Sequence, residues 1–361
     1  MDNPVLYTFL KERLVPETIQ KILFVVDQGV ADKHPRLPDD INGYFNHYPV
    51  VHPVKELLVI PGGERAKNNE SLFDLITEAV HVNGIDRHSY IIAVGGGSVL
   101  DLAGYAAAVS HRGINLIRIP TTVLSQNDSG IGVKNGINHF GKKNFLGTFA
   151  PPAAVFNDDR FLTTLDQRNW RSGIAEAIKV ALIKDATFFN WIEANTETLV
   201  NRDHDRMNYL IRHCATLHLQ HIGGLDPFEK GSSRPLDFGH WSAHKLEQLT
   251  NFEVLHGEAV AMGIALDTMY SSLAGHLLPA QADRILQVLI KLGFEITHPL
   301  MQIREQNSPV LLGLKEFQEH LGGRLTIMLL TQIGVGMEVY EINTGLLILA
   351  GKELSKYQHL C

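Results

Sequence analysis

The sequence contains little cysteine and no long apolar run. Cys214 and Cys361 are its two cysteines, which is too few for a disulfide framework and is typical of a reducing compartment. No apolar stretch approaches the roughly 18 residues that a membrane-spanning helix needs. The first residues also lack the basic and apolar regions of a secretory signal peptide. We therefore expect a cytoplasmic protein that has no membrane segment.

The chain also lacks an excess of positive charge. It carries 32 Lys and Arg residues against 39 Asp and Glu residues, a formal net charge of −7. Because proteins that bind duplex nucleic acid normally present a basic surface, we expect no nucleic-acid partner. Apolar residues make up 45% and charged residues 20% of the chain, an ordinary globular composition. The length of 361 residues suits two domains, each with its own core.

The order of the predicted elements defines the fold class. Short apolar runs alternate with helical stretches up to about residue 158, which predicts a parallel sheet covered on both faces. Predicted strands and helices in this part are 22–26, 57–60, 69–83, 90–94, 99–110 and 116–120. From about Asn169 a period near 3.6 predicts mostly helices, at 174–183, 207–220, 241–249, 259–273 and 280–292. We expect α/β followed by all-α: a doubly wound nucleotide-binding domain at 1–160 and a helical metal-binding domain at 161–361.

Three successive glycines, Gly95, Gly96 and Gly97, stand between a predicted strand and a predicted helix. They let the backbone approach a phosphate, and the helix that follows offers free N–H groups. Such a turn also occurs for packing alone, and it is not the Rossmann pattern. Asp101 suits a place near a nicotinamide, or else it is an acid that stabilises the first turn of the helix. The turn at 61–64, with Lys67, either contacts a diphosphate or is a plain turn.

Four residues in the second half have the types that bind a divalent metal ion. His240 and His244 are four apart and so share a helix face, while Glu176 and His256 lie in other apolar stretches. Each has a plainer explanation: a core histidine, a helix-stabilising pair of Glu176 with Lys179, or a loop histidine before a helix. The small apolar neighbours of Glu176 predict burial, and a buried carboxylate needs a cation. Together these residues favour a metal site.

Two further segments are rich in polar residues or in glycine and proline. Between residues 120 and 147, amides, threonines and lysines alternate with glycines, which predicts a winding backbone rather than regular elements. A solvated loop is the plain interpretation, but interleaved apolar residues require much of the segment to pack. Buried lysines beside amides would suit a phosphorylated, hydroxyl-rich substrate. Residues 222–235 are predicted to form a functional loop.

Taken together, these motifs resemble the 3-dehydroquinate synthase family of sugar phosphate cyclases. The resemblance covers about residues 61 to 336, and its specific stretches are the glycine turn through Gly104, 120–134, 143–144, 175–179, 239–240 and 256–260. It implies a homodimer with an N-terminal NAD-binding domain and a C-terminal helical metal domain. It also implies zinc or cobalt bound by Glu176, His240 and His256.

The resemblance also implies the other roles. Catalytic residues would be Asp128, Lys134, Asn144, Lys179 and His244. Residues that bind the substrate would be Arg112, Lys143, His218 and Asp237. Residues that bind NAD would be Asp27, Glu64, Lys67, Gly95, Gly96, Gly97, Ser98, Asp101, Thr121, Thr122 and Thr164. The implied reaction oxidises a hydroxyl of a sugar phosphate, eliminates phosphate, returns the hydride and closes a carbocycle by an aldol step, so NAD is regenerated.

Several positions depart from the dehydroquinate synthase pattern. Asn135 stands where the family has threonine, His218 where it has lysine, and Asp237 where it has asparagine. A lysine pair ahead of the last strand becomes Gln318-Glu319. Because cationic positions of this kind bind the carboxylate of the usual substrate, the chain is closer to cyclases that use sedoheptulose 7-phosphate, such as 2-epi-5-epi-valiolone synthases. It also resembles the dehydroquinate-synthase-like branch of bacterial ebo clusters. We expect a seven-carbon sugar 7-phosphate as the substrate.

Two other functions are compatible with the same motifs. A metal-dependent polyol dehydrogenase would share the architecture, but it would not need Arg112, Lys134, Lys143 and Lys179 around a phosphate. A binding protein that kept the scaffold without activity would not need the metal residues.

Overall fold

The computed structural model describes residues 4–224, 235–304, 308–320 and 322–359. The chain divides into two compact units, Met1–Leu165 and Asp166–Cys361. The predicted functional loop at 222–235 lies mostly in residues 225–234, outside the described residues. Within the described ranges no helix has the length and apolarity to cross a membrane.

The first unit is built on a parallel sheet. The strands of the unit are β1 (Lys21–Asp27), β2 (His52–Pro53), β3 (Leu58–Ile60), β4 (Tyr90–Gly95), β5 (Asn115–Pro120), β6 (Lys134–His139), β7 (Lys142–Phe149) and β8 (Ala154–Val155). All but β6 and β7 belong to the parallel sheet. Its helices are α1 (Val5–Lys11), α2 (Gln28–Lys33), α3 (Leu37–His47), α4 (Glu70–Val82) and α5 (Gly97–Val109). The sheet order is β2-β1-β4-β5-β8, and β3 also pairs with β1; every pair is parallel.

Alternation along the strands creates two cores, one on each face of the sheet. Leu23, Val25, Ile91 and Ala93 pack with residues of α4 and α5 on one face. The residues between them in sequence, such as Phe24 and Ile92, pack on the other face with residues of α1 and α3. Since successive side chains of a strand point to opposite faces, a strand buried on both faces must be apolar throughout. The unit is doubly wound, as predicted.

The winding segment predicted at 120–147 is in part a regular hairpin, so that prediction was wrong there. β6 and β7 pair antiparallel, with Lys134 opposite Phe149 and Ile137 opposite Leu146. A π-helical turn, Ser125–Ser129, precedes the hairpin. The strand pattern was hidden because Asn135 and Asn138 occupy buried positions that alternation would fill with apolar residues. Their amides are satisfied internally: Asn135 donates to the carbonyl of Ala150 at 2.9 Å.

A buried arginine organises this segment. Arg118 on β5 has no exposed surface. Its guanidinium donates to the carbonyl oxygens of Gly130, Gly132 and Lys134 at 3.1, 2.7 and 2.9 Å, and to Oδ1 of Asn135 at 2.6 Å. One planar cation thus satisfies several carbonyls that a winding backbone would otherwise bury without donors.

We predict that Arg118→Lys destabilises the first unit by at least about 2 kcal/mol. A buried acceptor left without a donor costs about 1–3 kcal/mol, and a lysine ammonium cannot reach all the acceptors that the planar guanidinium binds. Urea unfolding measures the change. Arg87→Lys is the matched control, since the side chain of Arg87 is exposed. Equal stability of the two variants would contradict this account of Arg118.

The second unit is mostly helical. Its helices are α6 (Gln167–Lys184), α7 (Ala186–Ala194), α8 (Thr196–Val200), α9 (His204–Ile222), α10 (His240–Leu249), α11 (His256–Leu273), α12 (Pro279–Lys291), α13 (Leu312–His320) and α14 (Thr344–Ser355). It also contains one antiparallel pair, β9 (Ile327–Gln332) and β10 (Val335–Val339). An α/β parallel-sheet unit followed by a helical unit confirms the predicted fold class.

The starts of α10 and α11 are fixed by close backbone packing and by capping. His240 is the first residue of α10, after Gly239 in the left-handed region (φ 76°). His256 is the first residue of α11, where the carboxylate of Glu258 accepts from the N–H of Leu255 at 3.0 Å. The prediction that His256 precedes its helix was therefore wrong by one turn, because this cap extends the helix. A Cβ added to Gly263 of α11 would lie 1.9 Å from the carbonyl oxygen of Gly239.

We predict that Gly263→Ala lowers the free energy of unfolding of the second unit by about 1–3 kcal/mol, because the new methyl group meets a backbone atom that cannot yield locally. Gly351→Ala in α14 is the control, since its Cβ would meet no atom closer than 3.8 Å. We expect that variant to be neutral or more stable by up to about 1 kcal/mol from helix propensity. Comparable losses in urea unfolding would contradict the close-contact argument.

Candidate functional site

The glycine turn in the first unit ends β4 and begins α5. A Cβ on Gly95 would lie 2.9 Å from Cβ of Val99, and one on Gly97 would lie 2.6 Å from Oγ of Ser129, so packing accounts for both glycines. Gly96 is different, because its Cβ would make only an ordinary contact of 3.4 Å with Thr122. Gly96 is the N-cap of α5 and supplies no side-chain cap. The first turn of a helix without a cap is suited to an anion.

Further predicted cofactor residues border this turn. Asp27 ends β1; burial raises the pKa of its carboxyl group, while the backbone N–H groups of Gly29 and Gly96 oppose that rise. Thr121 is buried, and its N–H donates to the carbonyl oxygen of Gly95 at 3.0 Å. Parallel strands place their carboxyl ends at one edge, which explains why Asp27, Gly95 and Thr121 meet.

A buried lysine links predicted cofactor residues with a predicted catalytic residue. Lys67 is only 3% exposed. Its ammonium donates to Oδ2 of Asp101 at 2.8 Å and to Oδ1 of Asn144, and it lies 3.6 Å from Oε1 of Glu64. Asn144 is in the left-handed region (φ 53°) on β7. The hairpin therefore brings Asn144 to residues that precede it by more than forty positions, a proximity that no sequence spacing indicated.

Glu64 connects the same network to three more side chains. It accepts from Oγ of Ser98 at 3.1 Å and from Nδ2 of Asn138 at 3.2 Å, and Nζ of Lys143 lies 3.9 Å from its Oε1. Lys67 and Lys143 thus add cationic charge beside the carboxylates of Glu64 and Asp101. Asn138 was not singled out as a site residue by the sequence. Its signal was a polar residue inside an apolar alternation.

Other predicted residues of the first unit have different surroundings. Lys134 is exposed, so the expectation of a buried lysine is wrong at that position. Arg112 is exposed and lies in the left-handed region (φ 63°) after α5. Asp128 is half-buried in the π-helical turn, and Oγ1 of Thr164 lies 3.1 Å from Nε2 of His34.

The candidate site of the second unit is built around the carboxylate of Glu176 on α6. It has no exposed surface, and neither of its oxygens receives a hydrogen bond of normal geometry from the described residues. Lys179 forms an ion pair with Oε2, while Nε2 of His256 and Nε2 of His240 lie 3.1 and 3.7 Å from Oε1. Burial is the largest single influence and raises the pKa of Glu176, but the charge of Lys179, together with His240 and His256, holds that pKa well below its usual value.

The carboxylate of Glu247, on the side of His256 away from Glu176, fixes the tautomer of the imidazole. Nδ1 of His256 lies 3.0 Å from Oε2 of Glu247, which is 1% exposed. A carboxylate only accepts, so Nδ1 carries the proton. In the neutral imidazole Nε2 then presents a lone pair to Oε1 of Glu176. Two acceptors at that separation repel unless a proton or a metal cation lies between them.

His240 has the same arrangement. Its Nδ1 lies 3.1 Å from the carbonyl oxygen of Phe238, again an acceptor, so Nε2 is the unprotonated nitrogen that faces Glu176. Burial, followed by the charge of Lys179, lowers the pKa of His240 to about 4. At neutral pH this imidazole is therefore uncharged and free to coordinate a metal ion.

The remaining predicted residues of this unit lie around the two histidines. Ligand atoms of His240, His244 and His256 lie within 4.8 Å of one another. The negative charge of Asp237 opposes the lowering of the pKa of His240. His218 on α9 is buried, at 8% exposed.

Glu247 was missed by the sequence reasoning, although a signal was present. His240, His244 and Glu247 follow one another at intervals of four and three residues, so they share a face of α10. A carboxylate on the same helix face as two candidate ligands is the pattern of an outer partner that orients a histidine.

Comparison with known proteins identifies the family. The sequence profile of the 3-dehydroquinate synthase N-terminal domain matches residues 57–172, and that of the C-terminal domain matches residues 173–312. A 3-dehydroquinate synthase from Nitrosospira multiformis is 38% identical over 278 residues, which cover 77% of this chain and 74% of that protein. One from Pseudomonas syringae pv. tomato is 36% identical over 337 residues, covering 90% of this chain and 85% of that protein.

A solved structure is also similar over most of its length. The 2-epi-5-epi-valiolone synthase of Streptomyces hygroscopicus subsp. jinggangensis, determined with NAD+ and Zn2+ bound, superposes with a TM-score of 0.87 at 29% identity, covering 94% of this chain and 92% of that one. Both family profiles match in succession, and the relatives align across both units. The chain therefore belongs to the 3-dehydroquinate synthase family.

Proposed function

We propose that this protein is a sugar phosphate cyclase that converts a seven-carbon sugar 7-phosphate to a carbocycle with elimination of phosphate. It would use a divalent metal ion, Zn2+ or Co2+, and NAD that is regenerated in each turnover. The observation that carries the proposal is the buried carboxylate of Glu176, faced by Nε2 of His240 and Nε2 of His256.

The residues of the second unit fit a metal ion. Oε1 of Glu176 and Nε2 of both histidines form a set of one carboxylate and two imidazoles, which are ligands that zinc prefers, and a three-residue set leaves a position for a substrate oxygen. The repulsion between these acceptors disappears when they share a cation. The bound metal would supply Lewis-acid stabilisation of negative charge on that oxygen.

The residues of the first unit fit a dinucleotide. The uncapped start of α5 at Gly96 suits a diphosphate, and Asp27 at the end of β1 suits a ribose hydroxyl. NAD would supply reversible hydride transfer at a substrate carbon. The ion pairs of Lys67 with Asp101 and Glu64 would keep the neighbouring polar surface ordered while Lys143 presents a cation to the substrate.

The side chains around the proposed metal site would have separate roles in the reaction. Lys179 keeps Glu176 ionised and adds positive charge where negative charge develops on the substrate. Glu247 and the carbonyl of Phe238 hold the two imidazoles in the tautomers that leave Nε2 unprotonated. His244, on the same helix face as His240, would donate or accept a hydrogen bond at the substrate.

The substrate without a carboxylate fits this chain better. The negative charge of Asp237 acts on His240, so a substrate carboxylate beside Asp237 would be repelled, whereas a hydroxyl would be hydrogen-bonded. The similarity to a 2-epi-5-epi-valiolone synthase supports the same choice. Sedoheptulose 7-phosphate is therefore favoured over 3-deoxy-D-arabino-heptulosonate 7-phosphate. Homodimer formation and a cytoplasmic location stay predictions from the sequence.

We predict phosphate release without net formation of NADH when the purified protein, loaded with zinc and NAD, is given sedoheptulose 7-phosphate. Phosphate and NADH absorbance are followed in the same reaction, with 3-deoxy-D-arabino-heptulosonate 7-phosphate in parallel. Faster release from the carboxylated sugar would overturn the substrate choice and keep the cyclase. NADH that accumulates without phosphate would instead identify a polyol dehydrogenase, and silence with both sugars would contradict the proposal.

Two carboxylate-to-amide variants serve as controls for this assay. Glu176→Gln removes the buried charge of the metal site, so we expect phosphate release to stop. Glu193→Gln changes a carboxylate on α7 that pairs with Arg284, and we expect it to retain activity.

We predict that Glu247→Gln lowers the affinity for zinc about 10- to 100-fold, the usual loss when a histidine ligand loses its outer carboxylate. The amide oxygen still accepts from Nδ1 of His256, so the fold is kept while the charge is removed. Competition with a chromogenic chelator measures the affinity, and Glu193→Gln is again the control. An unchanged affinity would show that Glu247 does not act on the metal site.

A further inference from the structure

A second buried carboxylate in the helical unit has no role in the proposed chemistry. Asp267 lies on α11, three turns after His256, and is only 2% exposed. Among the described residues no lysine, arginine or histidine forms an ion pair with it. Burial raises the pKa of Asp267 to about 7, although the hydrogen bonds from Trp241 and Gly239 oppose that rise. Keeping such a group as an anion costs stability, so its presence needs an explanation.

Both oxygens of Asp267 are used, and both partners flank a single residue. Oδ2 accepts from the N–H of Gly239 at 3.0 Å, and Oδ1 accepts from the indole N–H of Trp241 at 2.9 Å. The residue between these partners is His240. Since both partners are donors only, a carboxylate satisfies them together, whereas an apolar side chain would leave two buried N–H groups without acceptors.

A close backbone contact between α10 and α11 lies beside these hydrogen bonds of Asp267. Gly239 and Gly263 touch directly: a Cβ on Gly263 would lie 1.9 Å from the carbonyl oxygen of Gly239, and one on Gly239 would lie 2.7 Å from the N–H nitrogen of Ile264. Asp267 is one turn beyond Gly263 on α11. The first turn of α10 is thus pressed onto α11 and tied to it by side-chain bonds on both sides of His240.

We propose that Asp267 is a positioning residue for His240. By holding Gly239, the residue directly before His240, against α11, it sets where the imidazole at the start of α10 lies relative to His256 at the start of α11. The ring centroids of these two histidines are 5.5 Å apart. This inference rests on the proposed metal site, because its consequence is the affinity of that site for a metal ion.

The test is a double-substitution series read by zinc affinity in the folded protein. Asp267→Asn places one N–H of the new amide against the N–H of Gly239 or of Trp241, whichever way it turns. We expect it to lower zinc affinity about 10-fold or more, since displaced ligands lose coordination. Trp241→Phe alone leaves the bond to Gly239 and should keep near-normal affinity.

The double variant, Trp241→Phe with Asp267→Asn, is the variant of the series that decides between the outcomes. With the indole N–H removed, the amide oxygen of the Asp267→Asn side chain is free to accept from Gly239 and no donor faces its NH2 group. We therefore expect Trp241→Phe with Asp267→Asn to regain most of the affinity that Asp267→Asn alone loses. If Asp267→Asn does not fold, the folded double variant is compared with Trp241→Phe, and a near-equal affinity is the expected result.

Chelator competition gives the affinities, urea unfolding gives the stabilities, and Asp283→Asn on the exposed side of α12 is the control. Asp267→Asn that is less stable but binds zinc as tightly as the unsubstituted protein would overturn the inference and leave the metal site intact. A double variant that binds as weakly as Asp267→Asn, or more weakly than Trp241→Phe, would overturn it as well. Unsubstituted protein that binds no zinc would overturn the proposed metal site and this inference with it.

Discussion

The arrangement of the helical unit depends on how a fully buried carboxylate is neutralised. A carboxylate taken out of water costs several kcal/mol unless cations or donors surround it. Glu176 has one lysine cation, Lys179, and otherwise faces Nε2 of His240 and of His256, whose Nδ1 atoms lie beside other acceptors. This arrangement is unfavourable without a further positive charge. The need for that charge connects the folding of α6, α10 and α11 to the chemistry that we propose.

The outer contacts of the histidines come from the same few helix starts. His240 and His256 are the first residues of α10 and α11, where the backbone is fixed by capping and by a contact between two glycines. Carboxylates outside the proposed ligand set, Glu247 and Asp267, then set the proton position of one ring and the location of the other. Placing ligands at helix starts lets rigid elements determine geometry that flexible loops would leave loose.

In the first unit the buried charges that need partners are cations rather than a carboxylate. Arg118 donates to carbonyl oxygens of the segment that precedes the hairpin, and Lys67 pairs with Asp101, Asn144 and Glu64. Each cation gathers residues that are distant in sequence around the carboxyl edge of the sheet. Both units therefore use a buried charge to order a polar region that hydrophobic packing alone would not define.

The sequence by itself determined the features that depend on local pattern. Strands β1, β4 and β5, helix α4, the glycine turn and the residue types of the metal set were predicted because periodicity and residue chemistry are local properties. Only the tertiary structure decided the β6–β7 hairpin, the meeting of Lys67 with Asn144, and the roles of Glu247 and Asp267. These depend on which side chains share a buried space, and a buried polar residue looks like a solvated one until its partner, remote in sequence, is known.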